Sequence, residues 1–401
     1  MRIGIVVHCV SLHFFAKYFD EDQQREILNL PSNGTAPAAS LIALGMIEEG
    51  HFVRFFTEGP YNIVFRSEKV DIYMVKRTHR YYKAVGLLSY EQTRRLKDII
   101  RGKIEDLDVL HAHWTYENAL ACLPLSKKIP VFCTVRDWYP AVMSYKKKDT
   151  FFASLYWKKR RRINEKVFSC KNIHFIANSQ YIKTLVENKI NREVPVLMNP
   201  VDSSNIKEGE KNYPSYLRLV TITSGMGEHK NISTLLKAYK LIKKDFRDAE
   251  LIYIVGTVKE NVEQNLLYKS WVEQGLLEGV TMMYHLSHDE IYKIIDSCSM
   301  LVHPSFEESF GNTIIESLIR KTPVVAGEKS GAVPYLLQNG KLGFLCDISS
   351  EIKLADTIKY AYLHPDETRK KVNAATEWID SHTERAIAIQ HIEYFKNYCI
   401  Q

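Results

Sequence analysis

Two carboxylates, Glu308 and Glu316, stand eight residues apart in the run from Pro304 to Glu316. The apolar residues ahead of them, Met300 to His303, read as the end of a buried strand, and Thr313 to Ile319 read as a helix. The pair therefore flanks a strand-to-helix turn, one glutamate on the loop and the other about a turn into the helix. Between them Ser309, Gly311 and Asn312 are small or turn-forming, which leaves the backbone N–H groups at the helix start open to an anion. A ligand with a phosphate in its middle and hydroxyl groups at both ends suits such a site, and a nucleotide-sugar has that shape. A lone glutamate at a helix start ordinarily serves the helix dipole. That is the reading for Glu307, but it does not account for the spaced pair around Phe310-Gly311.

Other chemistry-bearing residues are scattered. His111 and His113 alternate on a strand and so share a face. A zinc site would need further ligands at metal spacing, and none accompanies them. Asp106-Leu107-Asp108 spells an Asp-x-Asp but precedes its strand, so it reads as a solvated turn.

These residues need a scaffold of strand ends. The first half alternates short apolar runs with amphipathic stretches, the pattern of parallel βαβ units. Strands are expected at Ile3–His8, Phe52–Phe56, Val109–His113, Pro130–Val135 and Ile173–Ala177, with helices at Ala38–Glu49 and, capped by Ser179, at Tyr181–Glu187. Asn199 to Pro214 reads as an interdomain linker. A second unit follows, with strands at Leu217–Thr223, Leu251–Val255 and Thr281–Tyr284. Its helices fall at Ser233–Lys243, Val262–Glu273 and Asp289–Ser297. The two-carboxylate turn, strand Pro323–Ala326 and a loop from Gly331 to Gly343 complete it, and Ala386–Tyr398 is apolar at helical spacing. The expectation is α/β throughout: two doubly wound, Rossmann-like domains facing a cleft, with ligands at the carboxyl ends of the strands.

At 401 residues the chain exceeds one ordinary core. Its 45% hydrophobic and 25% charged content is that of a soluble globular protein. No apolar run approaches the roughly 18 residues that span a bilayer, and the N-terminus reads as a strand rather than a signal peptide. The seven cysteines are odd in number and without a CxxC pair, as reduced packing residues in a cytoplasmic protein would be. Residues 1–200 hold 31 Lys and Arg against 20 Asp and Glu, whereas the rest of the chain is mildly acidic. Only the first half is therefore expected to meet an anionic surface or substrate.

The order of these motifs resembles that of the retaining glycosyltransferases of family 4, also called group 1, which have the GT-B fold. The resemblance is carried by Ser32-Asn33-Gly34-Thr35, the His-Ala-His ending at His113, Ala177-Asn178-Ser179 and Asn199-Pro200-Val201-Asp202. Val255-Gly256, the run from His303 to Glu316 and Pro323-Val324-Val325-Ala326 complete it. It implies a domain 1–205 that binds the acceptor, a domain 206–380 that binds the nucleotide-sugar, and a C-terminal helix, 381–401, packing back on the first. In this family the position of Glu308 faces the transferred sugar and that of Glu316 binds the nucleoside ribose. The amides of Gly311, Asn312 and Thr313 would hold the diphosphate, with Ser309 and Phe310 beside them and Gly34 lining the donor from the first domain. Lys230 matches the family's diphosphate-binding lysine. The arginine that precedes it elsewhere is absent, with Gly225 or Met226 in its region, so Lys230 and backbone amides carry more of the load. His113 is placed at the cleft by the resemblance, and a packed strand histidine is the alternative. Many members carry His-Asp where this chain has Arg136-Asp137. Arg136 cannot shuttle protons, but could bind an anionic acceptor or a donor oxygen.

The implied reaction retains anomeric configuration, without metal or cofactor, using a donor linked to UDP or GDP and a glycan or lipid-linked acceptor in cell-surface polysaccharide or glycoconjugate synthesis. Lys146-Lys147-Lys148 and Trp157 to Arg162 flank an apolar, aromatic stretch, a composition suited to peripheral contact with an anionic membrane from the cytoplasmic side. The alternative is a solvated basic helix face. No nucleic-acid motif accompanies the patch. Two rival readings are a nucleotide-sugar epimerase on the same fold and a degenerate transferase acting as a non-catalytic partner.

Overall fold

The computed structural model describes residues 1–30, 37–77, 88–145 and 151–399. The chain divides into two compact units, Met1–Asp202 with His382–Gln401, and Ser203–Ser381.

Unit 1 is built on a seven-stranded sheet in the order β3-β4-β2-β1-β5-β6-β7. The strands are β1 (Arg2–Val6), β2 (Phe52–Gly59), β3 (Ile63–Arg66), β4 (Val70–Lys76), β5 (Val109–His113), β6 (Val131–Val135) and β7 (Ile173–Ala177). All pairings are parallel except β3 with β4. β5 and β6 are buried along their whole length, because helices cover both faces and only continuous apolar runs tolerate that. The strand order turns back between β1 and β5, so their carboxyl ends open a crevice between oppositely directed connections. Helix Pro37–Glu48 packs against the last helix, Glu384–Cys399. Gly45 makes the approach possible, since a Cβ there would lie 2.3 Å from the Glu384 carbonyl oxygen.

Unit 2 carries a six-stranded sheet in the order β10-β9-β8-β11-β12-β13, parallel throughout. Its strands are β8 (Arg218–Thr223), β9 (Glu250–Val255), β10 (Val280–Tyr284), β11 (Met300–His303), β12 (Val324–Gly327) and β13 (Phe344–Cys346). Here the order turns back between β8 and β11.

Three sequence expectations need correction. The β3–β4 hairpin was not anticipated, because Arg66, Glu68, Lys69 and Asp71 interrupt its apolar pattern. Asp71 is nevertheless buried, since Arg54 neutralises it at 2.9 Å. The helix expected over Val262–Glu273 is two helices, Lys259–Glu263 and Leu266–Glu273, the second capped by the Asn265 side chain. The linker is a strap laid on unit 2: the Lys207 N–H donates to Ile319 O, and the buried Lys211 ammonium donates to Ile295 O, Asp296 O and Thr322 Oγ1. The Asp106-Leu107-Asp108 turn has both its aspartates exposed, as a solvated turn should, and also serves as a clasp. Asp106 accepts from Arg54 and Arg2, while an Asp108 carboxylate oxygen accepts the Arg2 N–H at 2.7 Å.

Candidate active site

In unit 2 the loops after β8 and β11 meet at the switch in strand order. Lys230 ends a short 3-10 turn, Glu228–Lys230, and Asn231 takes a left-handed conformation (φ 53°) that starts helix Ile232–Asp245. The Phe306 N–H donates to the His229 carbonyl at 2.8 Å, tying the two loops together. The Ala332 N–H donates to Glu308 O, which brings in the loop after β12.

Across this joint Lys230 Nζ lies 2.6 Å from Glu308 Oε1, with both side chains mostly buried. His303 Nε2 lies 3.3 Å from the same oxygen, and His303 Nδ1 is 3.2 Å from Thr313 Oγ1. With the imidazole proton on Nε2, His303 donates to Glu308 and accepts from Thr313. Burial opposes the charge on Glu308, but the His303 and Lys230 contacts outweigh it and hold the carboxyl well below its usual range. Glu308 is thus a fixed anion and Lys230 a fixed cation.

Gly311 caps helix Asn312–Ile319 with φ 106°, a conformation that glycine adopts without strain. It places no side chain of its own over the helix amino end. Glu316 lies in the second turn of this helix, 3.8 Å from His288 Nδ1. Burial alone pushes its carboxyl up to about 7. Phe310 is a correction: its side chain is in the core, so only its main chain can face a ligand. Beside Gly225 a Cβ would meet open space. Gly34 lies outside the described residues, as do Lys146, Lys147 and Lys148.

The carboxyl end of the unit 1 sheet holds the other expected residues. His113 is wholly buried at the carboxyl end of β5. Its Nδ1 accepts from Arg136 Nε at 2.9 Å and from Nη2 at 2.7 Å. Burial and the nearby His111 and Arg136 charges push its pKa well down, so it stays a neutral imidazole. His113 therefore positions Arg136 rather than carrying protons. Arg136 Nη1 donates to the Asn199 side-chain oxygen. Asp137 is half-buried, and desolvation pushes its carboxyl up to about 6. In the basic segment Arg160 turns inward, paired with Glu117 at 3.0 Å and stacked on Tyr116, and Arg161 pairs with Glu165.

The sequence reading missed His303 as the partner that fixes Glu308, and Asn199 as a ligand of Arg136. His303 ends a strand two residues before the carboxylate loop, a signal of the same kind as His113. Asn199 stood in the Asn199-Pro200-Val201-Asp202 element, but its partner was not legible, since it lies 63 residues from Arg136.

Two family models match in succession: Glycosyltransferase Family 4 over residues 32–205 and Glycosyl transferases group 1 over residues 207–378. Between them they cover more than four-fifths of the chain, which belongs to the family 4 (group 1) glycosyltransferases and has their GT-B fold. The N-acetyl-alpha-D-glucosaminyl L-malate synthase of Bacillus anthracis is 21% identical over 80% of this chain and 83% of its own. Sucrose-phosphate synthase from Thermosynechococcus elongatus superposes with a TM-score of 0.74 at 13% identity, covering 99% of this chain and 98% of its own. HepE of Anabaena, solved in complex with UDP and glucose, does so with a TM-score of 0.67 at 15% identity, covering 99% and 100%. Among the described residues no helix is long and apolar enough to cross a membrane.

Proposed function

We propose that this glycosyltransferase moves a sugar, with retention of configuration and without a metal, from a nucleotide-diphosphate sugar to a glycan or lipid-linked acceptor. The observation that carries the reading is the Lys230–Glu308 pair beside the amino end of helix Asn312–Ile319, with Glu316 one turn further in. A diphosphate laid on the helix start meets backbone N–H groups and the Lys230 ammonium, which is where leaving-group charge grows. That cation supplies the charge stabilisation a metal would otherwise give. As the donor's anomeric carbon–oxygen bond breaks, the acceptor oxygen bonds to the same face, and its proton passes to the departing diphosphate. Glu308, kept ionised by its neighbours, faces the oxocarbenium-like carbon as a counter-charge. Glu316 takes the ribose hydroxyls.

UDP is the favoured base, because HepE was solved with it; GDP is the alternative. The basic segment, read as an inner-membrane contact in polysaccharide synthesis, keeps Lys158 and Arg162 for that purpose, since Arg160 and Arg161 are paired within unit 1. A thermal-shift panel of UDP, GDP, ADP and their sugars tests the donor site. The expected result is a rise in Tm with one base that Glu316→Ala abolishes. No shift with any nucleotide would sink the proposal in favour of a non-catalytic partner. Product anomer by NMR, with EDTA present throughout, tests retention and metal independence, and binding to anionic vesicles at low salt tests the membrane contact.

A further inference from the structure

Arg136 is one of two fully buried arginines among the described residues, the other being Arg54. Arg54 has two carboxylates, Asp71 at 2.9 Å and Asp106 at 2.6 Å. Arg136 has only neutral acceptors, His113 Nδ1 and Asn199 Oδ1, and among the described residues no carboxylate lies within 4.0 Å of it. A desolvated guanidinium without an anion is costly, and it is kept where something else supplies the missing charge. Of its five N–H donors three go to those two acceptors. The two that remain, one on each terminal nitrogen, have no protein partner among the described residues. Burial pushes its pKa down to about 9, with no carboxylate offsetting it and only the Cys133 thiol acting the other way.

The surroundings fit a bound polar molecule. His113 Nε2 and Arg160 Nε are buried without a hydrogen-bond partner, while the Tyr116 hydroxyl and the Asp137 carboxyl beside them have only one another. Because His113 Nδ1 accepts from Arg136, its Nε2 bears the proton and is a second unused donor. Tyr116, Asp137 and Arg160 act on one another electrostatically and so form one cluster. Buried polar atoms rarely lack partners, and several together at a strand switch mark a ligand's place. Trp114, whose φ of 66° is strained for a bulky residue, sets its indole 5.7 Å from the Arg136 guanidinium and edge-on to His8.

We propose that the carboxyl end of the unit 1 sheet binds an acceptor carrying an oxyanion, a carboxylate or a phosphate, and that Arg136 is the residue that binds the anion. This rests on the reading of unit 1 as the acceptor half. The hydroxyl groups of the same acceptor take Asp137 and Tyr116, and His113 and Asn199 hold the guanidinium in place.

Three probes that share one ring separate the outcomes: glucuronate, glucose 6-phosphate and neutral glucose, titrated by calorimetry into the full chain. At least one anion is expected to bind about tenfold or more tightly than glucose, the scale of a charge-assisted hydrogen bond. Which anion does so tells carboxylate from phosphate. Arg136→Gln should remove that preference and leave glucose unchanged, whereas Arg136→Lys, which keeps the charge without the fork, should retain part of it. Lys230→Ala should leave the preference intact, because Lys230 belongs to unit 2 and the Arg136 group to unit 1. The inference is overturned if neither anion outbinds glucose, or if the preference survives Arg136→Gln. Should Arg136→Gln fail to fold, undiminished preference in Arg136→Lys overturns it equally. UDP binding in Arg136→Gln is read alongside: its absence in the native chain would sink the transfer reading while leaving the anion site standing.

Discussion

The two ends of the unit 1 sheet treat a buried arginine in opposite ways. At the amino end Arg54 lies between Asp71 and Asp106, Arg2 closes on Asp106 from outside, and the charges balance. At the carboxyl end Arg136 has imidazole and amide for company, with the buried His113 Nε2 and Arg160 Nε nearby left unpartnered. The two arginines are equally little exposed, so burial is not what separates them. The difference is that one end is satisfied by the protein alone and the other is completed from outside. An enzyme gains from that asymmetry, since a preorganised charge costs stability in the empty protein and returns it on binding.

Breaking the balanced end should have the largest effect. Arg54→Met strands Asp71 in the interior and is expected to cost about 3–5 kcal/mol of stability, read from the chemical denaturation midpoint. Arg136→Met strands no carboxylate, so its cost should stay below half of that; an equal cost would dissolve the comparison. Next in size, Lys230→Ala removes the cation at the leaving diphosphate. Transfer turnover should fall by about 10²–10³, as when one preorganised donor is lost from a charge-stabilising site, and the melting temperature should fall too, since the mostly buried Glu308 loses its cation.

Gly311→Ala comes third. Its φ of 106° is strained for alanine, and the new Cβ would press on Ile314 and Leu336 at 3.3 Å. A loss of about 1–3 kcal/mol is expected, together with weaker nucleotide binding. The smallest effect is a pH dependence. Burial raises the Glu316 carboxyl to about 7, so the folded protein holds a proton there that the unfolded chain has already released. Stability from this group therefore falls as pH rises from the ordinary carboxylate range to about 7, and is fully present only below it. Ribose hydroxyls prefer the ionised form as acceptor, so nucleotide affinity should rise by up to about tenfold per pH unit approaching 7. Glu316→Gln should flatten both profiles; an unchanged profile in the variant would assign the titration elsewhere.

Much of this was legible beforehand. Val109–His113, Ile173–Ala177 and Met300–His303 coincide with β5, β7 and β11, because strands buried on both faces must be continuous apolar runs. The Gly311 turn and the Glu308/Glu316 spacing are local, so they could be read from one stretch of chain. The hairpin of β3 and β4 could not, since its polar residues make sense only opposite Arg54. The Asp106-Leu107-Asp108 turn is solvated as read, but its ion pairs were not legible, since its partners, Arg2 and Arg54, come from other strands.

The sequence by itself determined the alternation of strands and helices, the two-unit organisation and which residue types sit at the strand ends. It did so because periodicity, turn chemistry and helix capping act over a few residues. Only the tertiary structure decided which charges meet. Lys230 and Glu308 are 78 residues apart, and the Arg136 group joins positions 113, 136 and 199. Ion pairing and desolvation depend on distance in space and on what excludes water, and the sheet sets both only once it is assembled.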